Sequence, residues 1–340
     1  MTVLVTGGAG YIGSHTARSL VASGRPVVVL DSLYSGHRWA VPSQAVFVHG
    51  DVGDAGLVRD ILATHSVDAV LHFAAHVEVP ESVTDPLKYY RNNVTGSLRL
   101  IEACVESGVD RLVFSSSAAV YGVPDHLPVT EETPLSPINP YGWSKAMTEQ
   151  MLADLADSRT PTPMRHVALR YFNVAGASLD GALGQATPNA THLIKVACEA
   201  ACGRRERVVV FGTDYPTPDG TGVRDYVHVE DLADAHLAAL TYLENGGASR
   251  ALNCGYGHGY SVREVLETVR RVSGVDFPVV EADRRAGDPP ALIADAGRIR
   301  DVLSWVPRYD DLEQICRSAY QWERDSMSKP GGPAAASTRP

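Results

Sequence analysis

Over its first half, the chain alternates short apolar runs with stretches whose apolar residues recur at helical spacing. The runs are VLVTG (3–7), PVVVLD (26–31), AVFVHGD (45–51), AVLHFAA (69–75), RLVFSSS (111–117) and RHVALRYFNVAG (165–176). Between them, segments such as IGSHTARSLVASG and VTGSLRLIEACVESG carry the helical pattern. Strands alternating with helices predict an α/β fold, a Rossmann-type doubly wound parallel sheet built from βαβ crossovers. Beyond about residue 175 the alternation is lost, and glycine, proline and charge increase, as in FGTDYPTPDGTGVRDY. That change predicts a smaller C-terminal lobe over 176–325, with segments returning to the first domain (1–175) and a cleft between the two. The last stretch, 326–340, is low-complexity and is expected to be a disordered tail.

Composition narrows the classes. A chain of 340 residues is long enough for a large α/β domain with a smaller second one. The formal charge of −10, with no large basic block, argues against nucleic-acid binding, although a few local arginines could still hold an anionic substrate. No run approaches the roughly 18 apolar residues of a membrane span, and the N-terminus enters a strand with no basic n-region, so neither a membrane anchor nor a signal peptide is expected. The five cysteines, at 104, 198, 202, 254 and 316, are scattered. Cys198 and Cys202 lie four apart, but no second pair or histidine cluster completes a metal site. Reduced thiols in a cytoplasmic protein are the expectation.

The first chemical signal is TGGAGYIG (6–13), which follows the first strand and opens the first helix. Gly7, Gly8, Gly10 and Gly13 satisfy the glycine spacing that permits a tight turn, close backbone approach to a pyrophosphate and helix–strand packing. The helix N-terminus then faces the anion with free N–H groups. Asp31 ends the second strand 18 residues after Gly13, where a carboxylate would accept ribose hydroxyls. A carboxylate there repels a 2′-phosphate, so NAD is expected over NADP; Arg38, seven residues on, could soften that preference. Asp51 reads equally well as an adenine contact or as a strand-end cap.

The second signal is NPYGWSKAMTEQ (139–150). A helix starting near Pro140 places Tyr141 and Lys145 on one face, one turn apart. An unperturbed tyrosine, with a pKa of about 10, is a poor base at neutral pH. A neighbouring ammonium and a positively charged nicotinamide would draw it toward working pH, and Ser117, at the end of the serine-rich run 24 residues earlier, would share a proton with the substrate. YxxxK alone is common on surface helices; the nucleotide signature upstream gives it meaning.

With these motifs, TGGAGYIGSH, HFAA, NNVTGSLRL, SSSAAVYG, PYGWSK, LRYFNVAGA and FGTDYPTPDGTGVRDYVHVEDLADAH resemble the extended short-chain dehydrogenase/reductase superfamily, and within it the 4-epimerases of UDP-glucose and UDP-galactose. The likeness spans roughly residues 1–325, and its 211–236 block is the most specific part. It implies tightly bound NAD, a C-terminal UDP-sugar lobe and a homodimer. It further implies catalytic roles for Ser117, Tyr141 and Lys145, and cofactor contacts from Gly7, Gly10, Tyr11, Ile12, Gly13, Asp31, Asp51, Val52, Phe73, Ala74, Asn92, Ser115, Tyr141, Lys145 and Tyr171. Substrate contacts are implied for Ser117, Tyr141, Asn173, His192, Leu193, Arg224, Arg285, Asp288 and Leu292. Arginines suit a diphosphate and carboxylates suit ribose hydroxyls.

In related sugar-nucleotide dehydratases an acid follows the strand-end hydroxyl and drives water elimination. Ala118 and Ala119 stand there in this chain, which favours epimerisation. Departures from the family pattern fall at Val77, where some members have lysine, at His192-Leu193 followed by Lys195, and at Leu292, where some have tyrosine. They bear on the preferred sugar. The alternatives are a 4-epimerase of UDP-N-acetylglucosamine or a UDP-pentose on the same machinery, and a catalytically silent NAD-sensing protein, against which the intact Ser117, Tyr141 and Lys145 set counts.

Overall fold

The apolar runs fold as neighbouring strands of one parallel sheet in the computed structural model of the protein, which describes residues 1–158, 163–188, 190–285 and 288–326. Thr2–Thr6 (β1), Val27–Asp31 (β2), Val46–His49 (β3), Val67–His72 (β4), Arg111–Ser117 (β5) and Arg165–Tyr171 (β6) account for six strands. Arg250–Cys254 is the seventh, giving the order Arg250–Cys254, β6, β5, β4, β1, β2, β3. The order reverses between β4 and β1, and a crevice opens at the carboxyl ends of the strands there, as expected of such sheets.

Alternate residues along each strand point to opposite faces, and both faces are covered. Val3, Val5, Val29, Leu71, Val113 and Leu169 enter a core shared with Ala17 and Leu20 of Tyr11–Ala22 (α1) and with Leu232, Ala235 and Ala239 of the helix Val229–Glu244. Leu4, Val28, Val70, Leu112 and Phe114 face the other way, against Val58 and Ile61 of Ala55–Thr64 (α2), Leu100 and Ile101 of the helix Gly96–Glu106, and Leu152 of the helix Pro140–Ala156. Each such buried aliphatic side chain contributes about 1.5–3 kcal/mol. Double coverage is why these strands read as continuous apolar runs.

Three boundaries differ from the sequence reading. β3 ends at His49, short of Asp51. The run 165–176 divides at Phe172: β6 stays in the sheet, and Asn173–Ala175 leaves it to pair with Tyr226–His228. The returning segments include the helix Val229–Glu244 and the strand Arg250–Cys254, so the sheet is not confined to residues 1–175. The rest of the second half includes the helices Leu193–Ala201, Val262–Ser273 and Leu312–Asp325 and a parallel pair, Val208–Phe211 with Val279–Ala282.

Asp225 ties together segments that are distant in sequence. It is wholly buried, and its carboxylate accepts from the backbone N–H groups of Tyr256 (2.9 Å), Gly257 (3.0 Å) and Ala294 (3.3 Å). The tail 327–340 lies outside the described residues. The five cysteines are free thiols, four of them buried. Among the described residues no helix is long and apolar enough to cross a membrane, and no group of three or more His, Cys, Asp or Glu is placed to hold a metal ion.

Candidate active site

A cleft of about 1080 Å³ runs from the β1–α1 turn across the ends of β4 and β5 to the C-terminal lobe. Its walls include every residue that the sequence reading nominated for cofactor or substrate, except Lys145.

At one end, the chain turns from β1 into α1 through Gly7, whose φ of +70° disfavours other residues. A Cβ at Gly7 would stand 2.6 Å from the backbone nitrogen of Ala74, so only glycine lets the two loops approach. Gly10 caps α1 with no side-chain partner, leaving the helix N-terminus facing the cleft. The Asp31 carboxylate accepts from the backbone N–H groups of Ala9 (2.9 Å) and Leu33 (2.7 Å), which fixes it beside the glycine turn. Arg38 has no place in the cleft wall; its guanidinium lies 4.6 Å from the centre of the Phe47 ring. Asp51 is exposed on the wall and accepts from Gly53 N–H at 2.7 Å, so it closes a turn and still faces the cleft. A closely approached glycine turn, an open helix N-terminus and a carboxylate at the end of β2 are together a fitting cradle for NAD.

At the middle, the helix Pro140–Ala156 starts as expected: Asn139 caps it, its Oδ1 accepting from Gly142 N–H at 2.8 Å. Tyr141 and Lys145 are both buried. Lys145 Nζ donates to the carbonyl of Ser115 at 2.7 Å and stands 5.9 Å from the centre of the Tyr141 ring. The ammonium therefore sits behind the ring, out of the cleft wall. Burial pushes Tyr141 above the usual phenol value, opposed by a hydrogen bond from Ser117. Burial pulls Lys145 down to about 7, opposed by Glu149 one turn further on. In the protein alone, desolvation dominates both groups and favours their neutral forms; the expected lowering of Tyr141 by the Lys145 ammonium and a positive nicotinamide concerns the state with NAD bound. Ser115 is tied to the Tyr171 hydroxyl, and Ser117 caps the short turn Ala118–Tyr121 by accepting from Ala119 N–H at 3.2 Å.

Behind this pair lies a network that the sequence reading missed. Arg170 Nε donates to both Glu149 oxygens (3.1 and 3.0 Å), and its Nη1 donates to Tyr121 Oη at 2.9 Å. Tyr121 Oη donates to Asn253 Oδ1 at 2.7 Å, and Ser116 Oγ also donates to Glu149. Asn93, next to the nominated Asn92, was missed too. Its Oδ1 accepts from His76 N–H (2.8 Å) and its Nδ2 donates to His76 O and Ser144 Oγ (both 3.0 Å), fastening the HFAAH segment to the Pro140 helix. Nothing in the local pattern marks these residues, because their partners are distant in sequence.

At the far end, Arg224 stands 3.4 Å from Asp288, the Arg285 guanidinium lies 3.8 Å from the centre of the Phe211 ring, and Asn173 N–H donates to Asp225 O at 3.0 Å. Leu292 is paired in register with Arg224 and packs against the cluster of Ala118, Val120 and Phe172. His192 faces Gln185 Nε2 through Nδ1 at 3.0 Å, and burial holds its pKa below the ordinary value. Lys195 turns away from the cleft and pairs with Glu323 at 2.6 Å. Arg207 and Tyr215, unremarked in the sequence, also line this end.

Parallel-sheet topology and the glycine cradle at the switch point, with a buried tyrosine and lysine one helical turn apart, define an NAD-binding protein of the short-chain dehydrogenase/reductase class. A family model described as the NAD dependent epimerase/dehydratase family matches residues 3–255, and the chain belongs to that family. It is 55% identical over 340 residues, 99% of this chain and 97% of the other, to a UDP-glucose 4-epimerase of Azospirillum brasilense. The UDP-glucose 4-epimerase of Brucella ovis, solved in complex with NAD, superposes with a TM-score of 0.91 at 47% identity, over 95% of this chain and 98% of that one. The UDP-Glc/GlcNAc 4-epimerase of Campylobacter jejuni does so with a TM-score of 0.83 at 50% identity, over 95% and 99%.

Proposed function

We propose that the protein interconverts UDP-glucose and UDP-galactose by NAD-dependent 4-epimerisation through a 4-keto intermediate. The observation that carries this reading is Tyr141, in the first turn of the Pro140–Ala156 helix and hydrogen-bonded with Ser117 at the end of β5, where Ala118 and Ala119 follow in place of an elimination acid. The chemistry supplied by bound NAD is reversible hydride acceptance at carbon 4 of the sugar. Tyr141 takes the proton of the 4-hydroxyl and later returns it, and Ser117 relays it by hydrogen bonding both partners. Lys145, anchored on the Ser115 carbonyl, orients the Tyr141 ring. Alanine can neither donate nor accept a proton, so no group at Ala118 or Ala119 drives water elimination from the ketone. Arg224 and Arg285 suit the diphosphate, Asp288 the ribose, and Asn173, His192, Leu193 and Leu292 the sugar. Incubation with a panel of UDP-sugars and no added NAD tests the reading: UDP-galactose should yield UDP-glucose, and inertness toward the whole panel would overturn it.

Net redox is zero, so the cofactor has to stay through turnover. Acid-denatured protein is expected to release NAD; recovery of NADP would remove Asp31 from its assigned role.

The preferred sugar rests on Leu292, shorter than tyrosine and lacking its hydroxyl. A modest steric change in an apolar wall shifts preference by about 1–3 kcal/mol. UDP-glucose and UDP-galactose are therefore expected to be the better substrates, with measurable turnover of UDP-N-acetylglucosamine that falls in Leu292→Tyr. Equal rates in wild type and variant would show that Leu292 is not the gate. The dual specificity named for the Campylobacter relative favours this second activity.

A cytoplasmic homodimer serving galactose metabolism completes the reading. Val83, Leu87, Leu98, Trp143 and Met147 are exposed on helices that pack against one another, which supports a self-association face.

A further inference from the structure

The cleft has two rims beside the β1–α1 turn: the loop after β2, and the segment after β4 that continues into the helices Val79–Thr84 and Pro86–Tyr89. Side chains join them across the gap. Tyr34, on the first rim, lines the cleft, yet 66% of its surface is exposed, so its core packing does not explain its position. Its ring meets His76 of the opposite rim edge-on, centroids 4.7 Å apart. Lys88 Nζ donates to Tyr34 Oη at 2.8 Å and stands 5.1 Å from the centre of its ring. Lys88 is itself held by Glu81 at 2.5 Å, and Glu81 accepts from Tyr89 Oη at 2.9 Å.

The backbone supports the same arrangement. Leu33 adopts φ +57°, a left-handed conformation that leucine rarely takes, and its N–H is bound by Asp31. Strain of this kind persists only where the surroundings over-determine it. Here it fixes Tyr34, one residue from the turn that Asp31 closes. On the other rim, His76 is held by its backbone to the buried Asn93. One bridging residue is thus set by the carboxylate assigned to the cofactor ribose, and the other by the loop that touches Gly7.

We propose that Tyr34, His76 and Lys88 form a strap across the mouth of the dinucleotide site and are further cofactor-retaining residues, slowing NAD release. The proposal rests on the placement of NAD between Gly7 and Asp31 given above. Tyr34 and His76 line the cleft beside Gly7 and Asp31, so a dinucleotide held there would have to leave past their contact, and the Tyr34–Lys88 hydrogen bond would have to open. An enzyme whose cofactor returns to its starting state each cycle gains by such a strap, whereas one that exchanges oxidised for reduced cofactor would be slowed by it.

The test is exchange of bound NAD for excess isotopically labelled NAD, followed by mass spectrometry of the released nucleotide. Tyr34→Ala and Lys88→Met are each expected to exchange roughly tenfold faster than the wild type, the factor set by about 1.4 kcal/mol. Lys88→Arg keeps a donor and should restore slow exchange, which a merely structural role would not require. Unchanged exchange in Tyr34→Ala, or fast exchange in Lys88→Arg equal to that in Lys88→Met, overturns the strap. Failure of the epimerase reading would appear separately, as a protein that shows these exchange rates and turns over no UDP-sugar.

Discussion

Replacing Tyr141 by phenylalanine is expected to lower kcat for UDP-galactose by about 10²–10⁴-fold, the range a positioned proton-transfer group supplies. The ring is buried and sits near Lys145, so the substitution removes only a hydroxyl and leaves the packing intact. NAD content and thermal stability should therefore stay at wild-type levels, and the loss should appear in kcat with little change in KM. Because burial pushes the Tyr141 hydroxyl above its ordinary pKa, the free protein holds it as a phenol. Proton removal from the sugar then depends on the positive nicotinamide and on Ser117, and Ser117→Ala should be impaired as well. Turnover of Tyr141→Phe within a factor of a few of wild type would remove the tyrosine from the mechanism.

The second large effect is on stability. Glu149 and Arg170 are both buried, with side chains 8% and 7% exposed, and they pair through three hydrogen bonds. Removing one partner strands the other charge away from water, so Glu149→Gln should lower the unfolding free energy by about 3–5 kcal/mol. The double variant Glu149→Leu/Arg170→Met should recover most of that loss, since a well-packed apolar pair is often no worse than a buried ion pair. Urea unfolding of the three proteins, each saturated with NAD, provides the comparison. A single variant within about 1 kcal/mol of wild type would show that Arg170 finds another partner. Glu149 also opposes the fall in the Lys145 pKa, so Glu149→Gln should make Lys145 still less cationic.

What could be read from the sequence follows from where the partners of each residue lie. β1, β2, β4, β5 and β6 were legible because most of their residues are buried on both faces, so local composition reports the environment. β3 lies at the sheet edge and is only partly buried. Arg250–Cys254 was not: RALNC has a polar residue at each of two positions, and its reason for being a strand is β6, about 80 residues earlier. The glycine turn, Asp31, Ser117 and Tyr141 sit in contiguous motifs whose spacing mirrors their geometry. Lys145 was found by the same spacing, but its position behind the ring and its depressed pKa depend on burial and on Glu149. Tyr34 and Lys88 meet only because β2 and β4 flank β1, and Arg170 meets Glu149 only because β6 lies against the Pro140 helix.

The return of the chain to its own sheet limits how this protein can be divided. Ending it at residue 175 would delete the strand that pairs with Val167–Tyr171 and the helix that covers α1, leaving Val167 and Leu169 facing water on one side. The two halves are therefore not interchangeable modules. A graft of the C-terminal half from a relative would carry a foreign edge strand into the sheet, so new sugar preferences are open to this scaffold chiefly through single side-chain changes along the cleft.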